Sequence, residues 1–297
     1  MICERGAVKC VNKIISHLGE GPVWNEREGL LYYTDVHGGK ILRYDPESGK
    51  SEVYISGELK IGGFVFDRDG SMTLLTNTGS VFKYRDGKYV EAFRIDMRED
   101  ENFNDVIADP EGRLYSGTLP RRPEMKGTGR MIRFESGKEP VELWGGMGCT
   151  NGMGFSPDEK TFYHTETGKA TITAYDYDRK TGEVTPRSVV YAGNKKMGIP
   201  DGMTVDEAGF IWSAFWNGNA IRRISPEGTI CAEVFVPATQ VSSVMFGGKD
   251  LDTIYITSGA QGTEDLNTGM LDGIFLGGPL YAYKPGVRGK LEYRSNL

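Results

Sequence analysis

Apolar and polar positions recur along the chain in a unit that occurs six times. Each unit opens with a small or polar residue, an apolar run and a short or polar stop. These segments are GEGPVWN at 19–25, IGGFVFD at 61–67, FNDVIAD at 103–109, TNGMGFS at 150–156, PDGMTVD at 200–206 and VSSVMFG at 241–247. A turn and a second apolar run follow: LLYYTD at 30–35, SMTLLTN at 71–77, RLYSGT at 113–118, TFYHTET at 161–167, FIWSAFW at 210–216 and DTIYITS at 252–258. The turns carry Glu28-Gly29, Asp69-Gly70, Glu111-Gly112 and Ala208-Gly209, residues suited to tight hairpins. A third run is visible in KILRYD (40–45), SVFKYR (80–85), RMIRFE (130–135), TITAYD (171–176), AIRRIS (220–225) and PLYAYK (279–284), with a weaker fourth beyond it.

Short runs rich in aromatic and β-branched residues, broken by glycine turns, predict strands. The second residues of the first runs stand at 20, 62, 104, 151, 201 and 242, so the units step by 41 to 50 residues. That is the size of a four-stranded propeller blade. A solenoid or an open sandwich could share such a repeat, but six near-equal units without capping elements favour a closed ring. The expected fold is all-β: a six-bladed β-propeller with four-stranded antiparallel blades, residues 1–297 forming one domain. Closing the ring requires the two ends of the chain to meet in one blade, and the segment from Val8 to Ile15 is the natural closing strand.

Composition narrows the function classes. Thirty-five basic and 41 acidic residues give a net charge of −6 with no basic run, which argues against a nucleic-acid partner. No apolar run is long enough to span a membrane, and the start, MICERGAVKC, lacks a signal-peptide core, so a cytoplasmic protein is expected. Cys3, Cys10, Cys149 and Cys231 are scattered without a CxxC pair and read as free thiols.

The repeat also states which residues are equivalent. Glu20, Gly62, Asn104, Asn151, Asp201 and Ser242 share one phase, and the first strand of each blade lines a propeller's channel, so these six form a ring around the axis. Asn and Asp also serve blade-top turns by satisfying backbone groups, but four oxygen-bearing side chains larger than a hydroxyl in one phase point to a shared task. Buried carboxylates converging on an axis lose hydration and repel each other, which calls for a counter-charge. A divalent cation supplies it. Hard oxygen ligands suit Ca²⁺, with Mg²⁺, Mn²⁺ or Zn²⁺ as alternatives. Glu20, Asn151 and Asp201 are the expected ligands, leaving coordination positions for water and substrate. The chain contains no GxSxG elbow, HExxH, P-loop or complete GxGxxG. His17, His37 and His164 fall outside the ring and read as surface or packing residues, and Trp24, Trp144, Trp212 and Trp216 as packing between blades.

On these segments the chain resembles the gluconolactonase/regucalcin family, also called the senescence marker protein group. The likeness rests on LGEGPVW at 18–24, FNDVIADPEGRLYSGT at 103–118, TNGMGFSPDEKTFYHTE at 150–166, IPDGMTVDEAGFIW at 199–212 and VSSVMFGGKDLDTIYIT at 241–257. The resemblance implies a six-bladed propeller with one divalent metal on the residues matching Glu20, Asn151 and Asp201, and a substrate-contacting Asn104. Two departures bear on substrate choice. Asn102 stands where animal members carry an Arg before Phe-Asn-Asp, and Pro120, Arg121 and Arg122 stand where those members have an acidic pair. Asn102 and Arg121 are therefore candidate substrate contacts, although Arg121 and Arg122 also read as a solvated loop pair. The glycine-rich segment 258–278 reads as a lid or a surface loop.

The activity expected from this reading is hydrolysis of a small-molecule sugar lactone such as gluconolactone. The metal would polarise the carbonyl and Asp201 would act as general base; lowering the pKa of a bound water is an equal alternative. Asp105 and Asn102 are candidates for a supporting layer. Rival readings are a phosphotriester or aryl-ester hydrolase on the same site, a non-catalytic calcium-binding propeller, and a scaffold for protein partners. A monomer or weak homo-oligomer is expected.

Overall fold

Each of the six repeats folds into one four-stranded antiparallel sheet, and the six sheets stand around a common axis as the blades of a propeller. The computed structural model describes residues 2–4, 8–98, 101–120, 127–263 and 265–297. Blade 1 contains Gly19–Asn25, Leu30–Asp35, Lys40–Asp45 and Lys50–Ser56. Blade 2 contains Ile61–Phe66, Met72–Thr76, Ser80–Arg85 and Lys88–Arg94. Blade 3 contains Glu101–Ala108, Leu114–Pro120, Gly129–Phe134 and Val141–Met147. Blade 4 contains Thr150–Phe155, Thr161–Glu166, Thr171–Asp178 and Glu183–Ala192. Blade 5 contains Ile199–Val205, Ile211–Trp216, Ala220–Ile224 and Ile230–Phe235, and Ile2–Glu4 adds a parallel edge strand to it. In blade 6, Val241–Gly247, Thr253–Ser258 and Leu280–Tyr283 are completed by Lys9–Asn12 from the start of the chain. The ring closes through the segment that the sequence nominated.

Burial explains why the runs read as they do. The second strands are covered on both faces, so LLYYTD shows no alternation: Leu31 and Tyr33 pack toward blade 6, while Tyr32 packs toward blade 2. One apolar cluster fills each of the six interfaces between neighbouring blades. The fourth strands face solvent, as in Lys88–Arg94 and Lys50–Ser56, and their pattern is correspondingly faint. At the far end of the innermost strands, short polar side chains turn the chain. Asp109 Oδ1 accepts the Glu111 and Arg113 N–H groups, and Asp206 Oδ1 accepts those of Ala208 and Phe210. Three tryptophans pack between blades: Trp24 stacks on Tyr255, Trp144 on Tyr175, and Trp212 meets Phe246 edge-on. Trp216 instead faces the axial cavity.

The C-terminal segment crosses the face where the innermost strands end. Its backbone bonds Leu251 and Glu207 through Gly289 and Arg288, Phe66 and Arg68 through Ser295, and Gly112 through Asn296. Side chains follow, with Glu292 Oε1 accepting from Thr204 and Arg294 pairing with Glu26. This strap closes one end of the channel and leaves the other open. No helix among the described residues is long and apolar enough to cross a membrane.

Candidate functional site

A bulge interrupts the innermost strand of every blade at the ring position. The pairing register slips between Glu20 and Val23, Ile61 and Gly63, Phe103 and Val106, Thr150 and Met153, Pro200 and Met203, and Val241 and Ser243. A bulge leaves one residue unpaired and re-aims its side chain, and here it does so six times at one depth. Small residues follow at five of the six positions, and at Gly63, Gly152 and Gly202 the innermost strands of neighbouring blades approach too closely for a side chain. A Cβ on Gly152 would lie 2.4 Å from the Met203 nitrogen, and one on Gly202 would lie 2.0 Å from Ser243 Oγ.

Glu20, Gly62, Asn104, Asn151 and Asp201 line one cavity of about 500 Å³ that opens on the face opposite the strap. That volume suits a small organic ligand. Ser242, the sixth ring residue, turns away and donates its hydroxyl proton to the Gly19 carbonyl at 2.5 Å. Glu20, Asn151 and Asp201 are only 7, 6 and 5 % exposed, at the floor. Asn104 Nδ2 donates to Asn151 Oδ1 at 2.5 Å and to the Thr150 carbonyl at 2.6 Å. Asn151 Nδ2 in turn donates to Thr167 Oγ1 at 2.8 Å.

The electrostatics of the floor are unfavourable as it stands. Burial, then the charges of Asp201 and Asp105, push the Glu20 carboxyl well above the usual carboxylate range, against the opposing Gly21 N–H. Burial and the Asp105 charge do the same to Asp201, with the Gly202 N–H opposing. Asp105, one residue deeper, faces the narrower part of the channel, and burial pushes it up to about 6. Among the described residues no cationic side chain offsets any of the three. Asp201 Oδ1 is buried without a hydrogen-bond partner among the described residues. Orphaned carboxylate oxygens of this kind are rare unless a cation or an ordered water completes them. The donors present, two carboxylates and an amide oxygen, are those a hard divalent cation takes. No three His, Cys, Asp or Glu side chains among the described residues gather around a point, so any such site is a mixed carboxylate–amide one.

The remaining sequence candidates divide. Asn102 lines the cavity. Arg121, with Arg122, lies outside the described residues. His164 is buried on the second strand of blade 4 against Trp144 and Tyr175, where burial drives its imidazole down to about 3, and its Nε2 has no partner among the described residues. His37, read from sequence as surface or packing, lines the cavity mouth, and its ring lies 5.1 Å from that of His17. The 258–278 segment reaches the site through Gln261, which Gln240 pins by two hydrogen bonds of 2.8 Å each.

Sequence reasoning missed a second ring. Two residues before each ring position stand Leu18, Lys60, Asn102, Cys149, Ile199 and Gln240. Five of these six line the cavity, above the floor residues, and Gln240 holds the sixth lining group, Gln261. The strand period of two was the available signal.

The family model described as the SMP-30/gluconolactonase/LRE-like region matches residues 18–260. Pentonolactonase XacC of Haloferax volcanii is 39% identical over 286 residues, covering 94% of this chain and 95% of that protein. Regucalcin of Xenopus laevis is 34% identical over 265 residues, covering 87% of this chain and 88% of the relative. Among solved structures, a calcium-binding regucalcin from Agrobacterium tumefaciens superposes with a TM-score of 0.90 over the full length of both chains at 22% identity, which speaks to the fold alone.

Proposed function

The chain belongs to the SMP-30/gluconolactonase/LRE-like family, and on that premise we propose that it is a metal-dependent hydrolase that opens a sugar lactone to its aldonic acid. The observation that carries the reading is Asp201 Oδ1, buried and without a hydrogen-bond partner among the described residues, beside Glu20 at the floor of a cavity sized for a sugar. The names of the curated relatives support the substrate class, since one of them is a pentonolactonase.

In this reading Glu20, Asn151 and Asp201 hold one divalent cation, with Ca²⁺ the best match to the oxygen donors and Zn²⁺, Mg²⁺ or Mn²⁺ the alternatives. When bound, the cation supplies Lewis-acid polarisation of the lactone carbonyl and the counter-charge for the two carboxylates. Asp201 accepts the proton of the attacking water as general base. Asn104, anchored by its bonds to Thr150 and Asn151, presents its amide to the sugar hydroxyls. Asn102 remains a proposed substrate contact from the cavity wall, and Arg121 a further proposed contact. Leu18, Phe103, Ile199 and Trp216 give the walls apolar surface that limits water around the reacting carbonyl.

Proton release from five- and six-carbon aldonolactones tests the proposal, with metal-stripped protein resupplied with each cation in turn. Turnover restored by one or more cations is the expected result. No turnover on any lactone with metal bound would exclude it.

A further inference from the structure

The upper ring carries one formal charge. Lys60 is the sole Lys or Arg among the described residues that lines the cavity. It extends from the strand start of blade 2, two residues above Gly62, and therefore sits roughly 7 Å above the floor on the same side of the strand. Gly62 has no side chain, so blade 2 puts nothing between that lysine and the floor. The glycine is itself required, because a Cβ there would fall 2.3 Å from the Phe103 carbonyl oxygen.

Lys60 is exposed and no carboxylate pairs with it among the described residues. Its surroundings are polar on one flank. His37, Asn77 and Asn102 line the same quadrant, contributed by blades 1, 2 and 3, and the Asn77 N–H bonds the Lys60 carbonyl. The opposite wall, from blades 4 and 5, offers Cys149, Ile199 and Trp216. Asp35, at the end of the second strand of blade 1, spends Oδ1 on the Leu18 and Gly38 N–H groups. The cavity thus has a cation-seeking floor and, one sugar length above it on one side, an anion-seeking rim.

We propose that Lys60 forms a subsite for an anionic substituent on the lactone, at the end of the sugar remote from the ring carbonyl. The preferred substrate class is then an acidic lactone carrying a phosphate, sulfonate or carboxylate, rather than the neutral aldonolactone. This inference rests on the lactonase reading of the floor, which sets the direction in which the sugar lies.

The test compares kcat/KM for glucono-lactone with that for its 6-phosphate and its 6-carboxylate, in wild type, Lys60→Met and Lys60→Arg. In wild type the charged lactones are preferred, and the preference shrinks as ionic strength rises. Lys60→Met lowers the charged-to-neutral ratio by about tenfold, the scale of one charge-assisted hydrogen bond, and Lys60→Arg restores most of it. Which anion loses more identifies the group the subsite takes. A ratio unaltered by Lys60→Met, or one lowered as much by Lys60→Arg, overturns the proposal. Calorimetric binding of open-chain 6-phosphogluconate to both proteins reads the subsite without turnover. Lys60-dependent binding with no hydrolysis of any lactone would refute the lactonase reading and leave the subsite standing, whereas hydrolysis with Lys60-independent binding would do the reverse.

Discussion

Thr167 accepts Asn151 Nδ2 at 2.8 Å while its own hydroxyl proton goes to the Pro200 carbonyl at 2.8 Å. A proline carbonyl can only accept, so the threonine oxygen is left with lone pairs for Asn151, and the amide must turn its NH2 outward and its oxygen toward the axis. One hydroxyl thereby orients a proposed ligand of blade 4 and ties it to the strand that bears Asp201 in blade 5. Thr167→Val removes both bonds. Divalent-ion affinity measured by calorimetry is expected to fall about tenfold, within the range known for groups that orient metal ligands, while Thr167→Ser retains it. Equal affinity in all three proteins would show that the amide is held by other means.

Asp201→Asn separates stability from activity. The substitution removes a carboxyl that burial and Asp105 make costly to ionise, so the metal-free variant should melt several degrees higher than metal-free wild type at pH 8. Hydrolysis should fall by about 100-fold or more, the usual loss of a general base. Wild-type turnover in the variant with metal bound would dismiss the base assignment.

The metal-free protein should weaken as pH rises from 4 to 7. Asp105 has a folded pKa of about 6 against an ordinary 3.8, so its protonated form is favoured in the native state. The stability it contributes is complete below 3.8 and is lost through about 6, on the order of 3 kcal/mol in all. Glu20 and Asp201 are shifted in the same direction. His164, driven down to about 3, acts oppositely, because the unfolded chain takes up its proton first as pH falls below 6.5. Urea unfolding of wild type and Asp105→Asn across this range cancels the histidine contribution. The difference between them should grow in favour of the variant as pH rises, and a flat difference would contradict the assigned burial of Asp105.

Gly152→Ala should destabilise the fold by about 2 kcal/mol or more, since the added Cβ meets backbone atoms of the neighbouring blade at 2.4 to 2.8 Å. Metal affinity should fall with it, because the bulge that aims Asn151 shares this residue. Chemical denaturation and ion titration on one sample would check both.

The blades were legible because each strand's burial is written in its residues: two-sided burial gives TFYHTE and LLYYTD, and turn chemistry gives the Gly after Glu28 and Glu111. The ring of Glu20, Asn104, Asn151 and Asp201 was legible for the same reason, as a repeat phase. Ser242 shares that phase, yet its hydroxyl is short enough to find the Gly19 carbonyl, a contact that no spacing encodes. The six bulges were hidden because a register slip is a property of two strands together. The strap was hidden too, since residues 285–297 have no apolar period and are held by backbone bonds to four different blades. Lys60 stood in plain view two residues above Gly62, but its position acquires meaning only once the floor beneath it is known.

The most direct test of the central claim is a titration of stripped protein with Ca²⁺, following gluconolactone hydrolysis and bound ion together, in wild type and Asp201→Ala. Activity rising in step with binding and saturating at about one ion per chain, with neither in the variant, is the predicted result. Full turnover by stripped wild-type protein in excess chelator would contradict it.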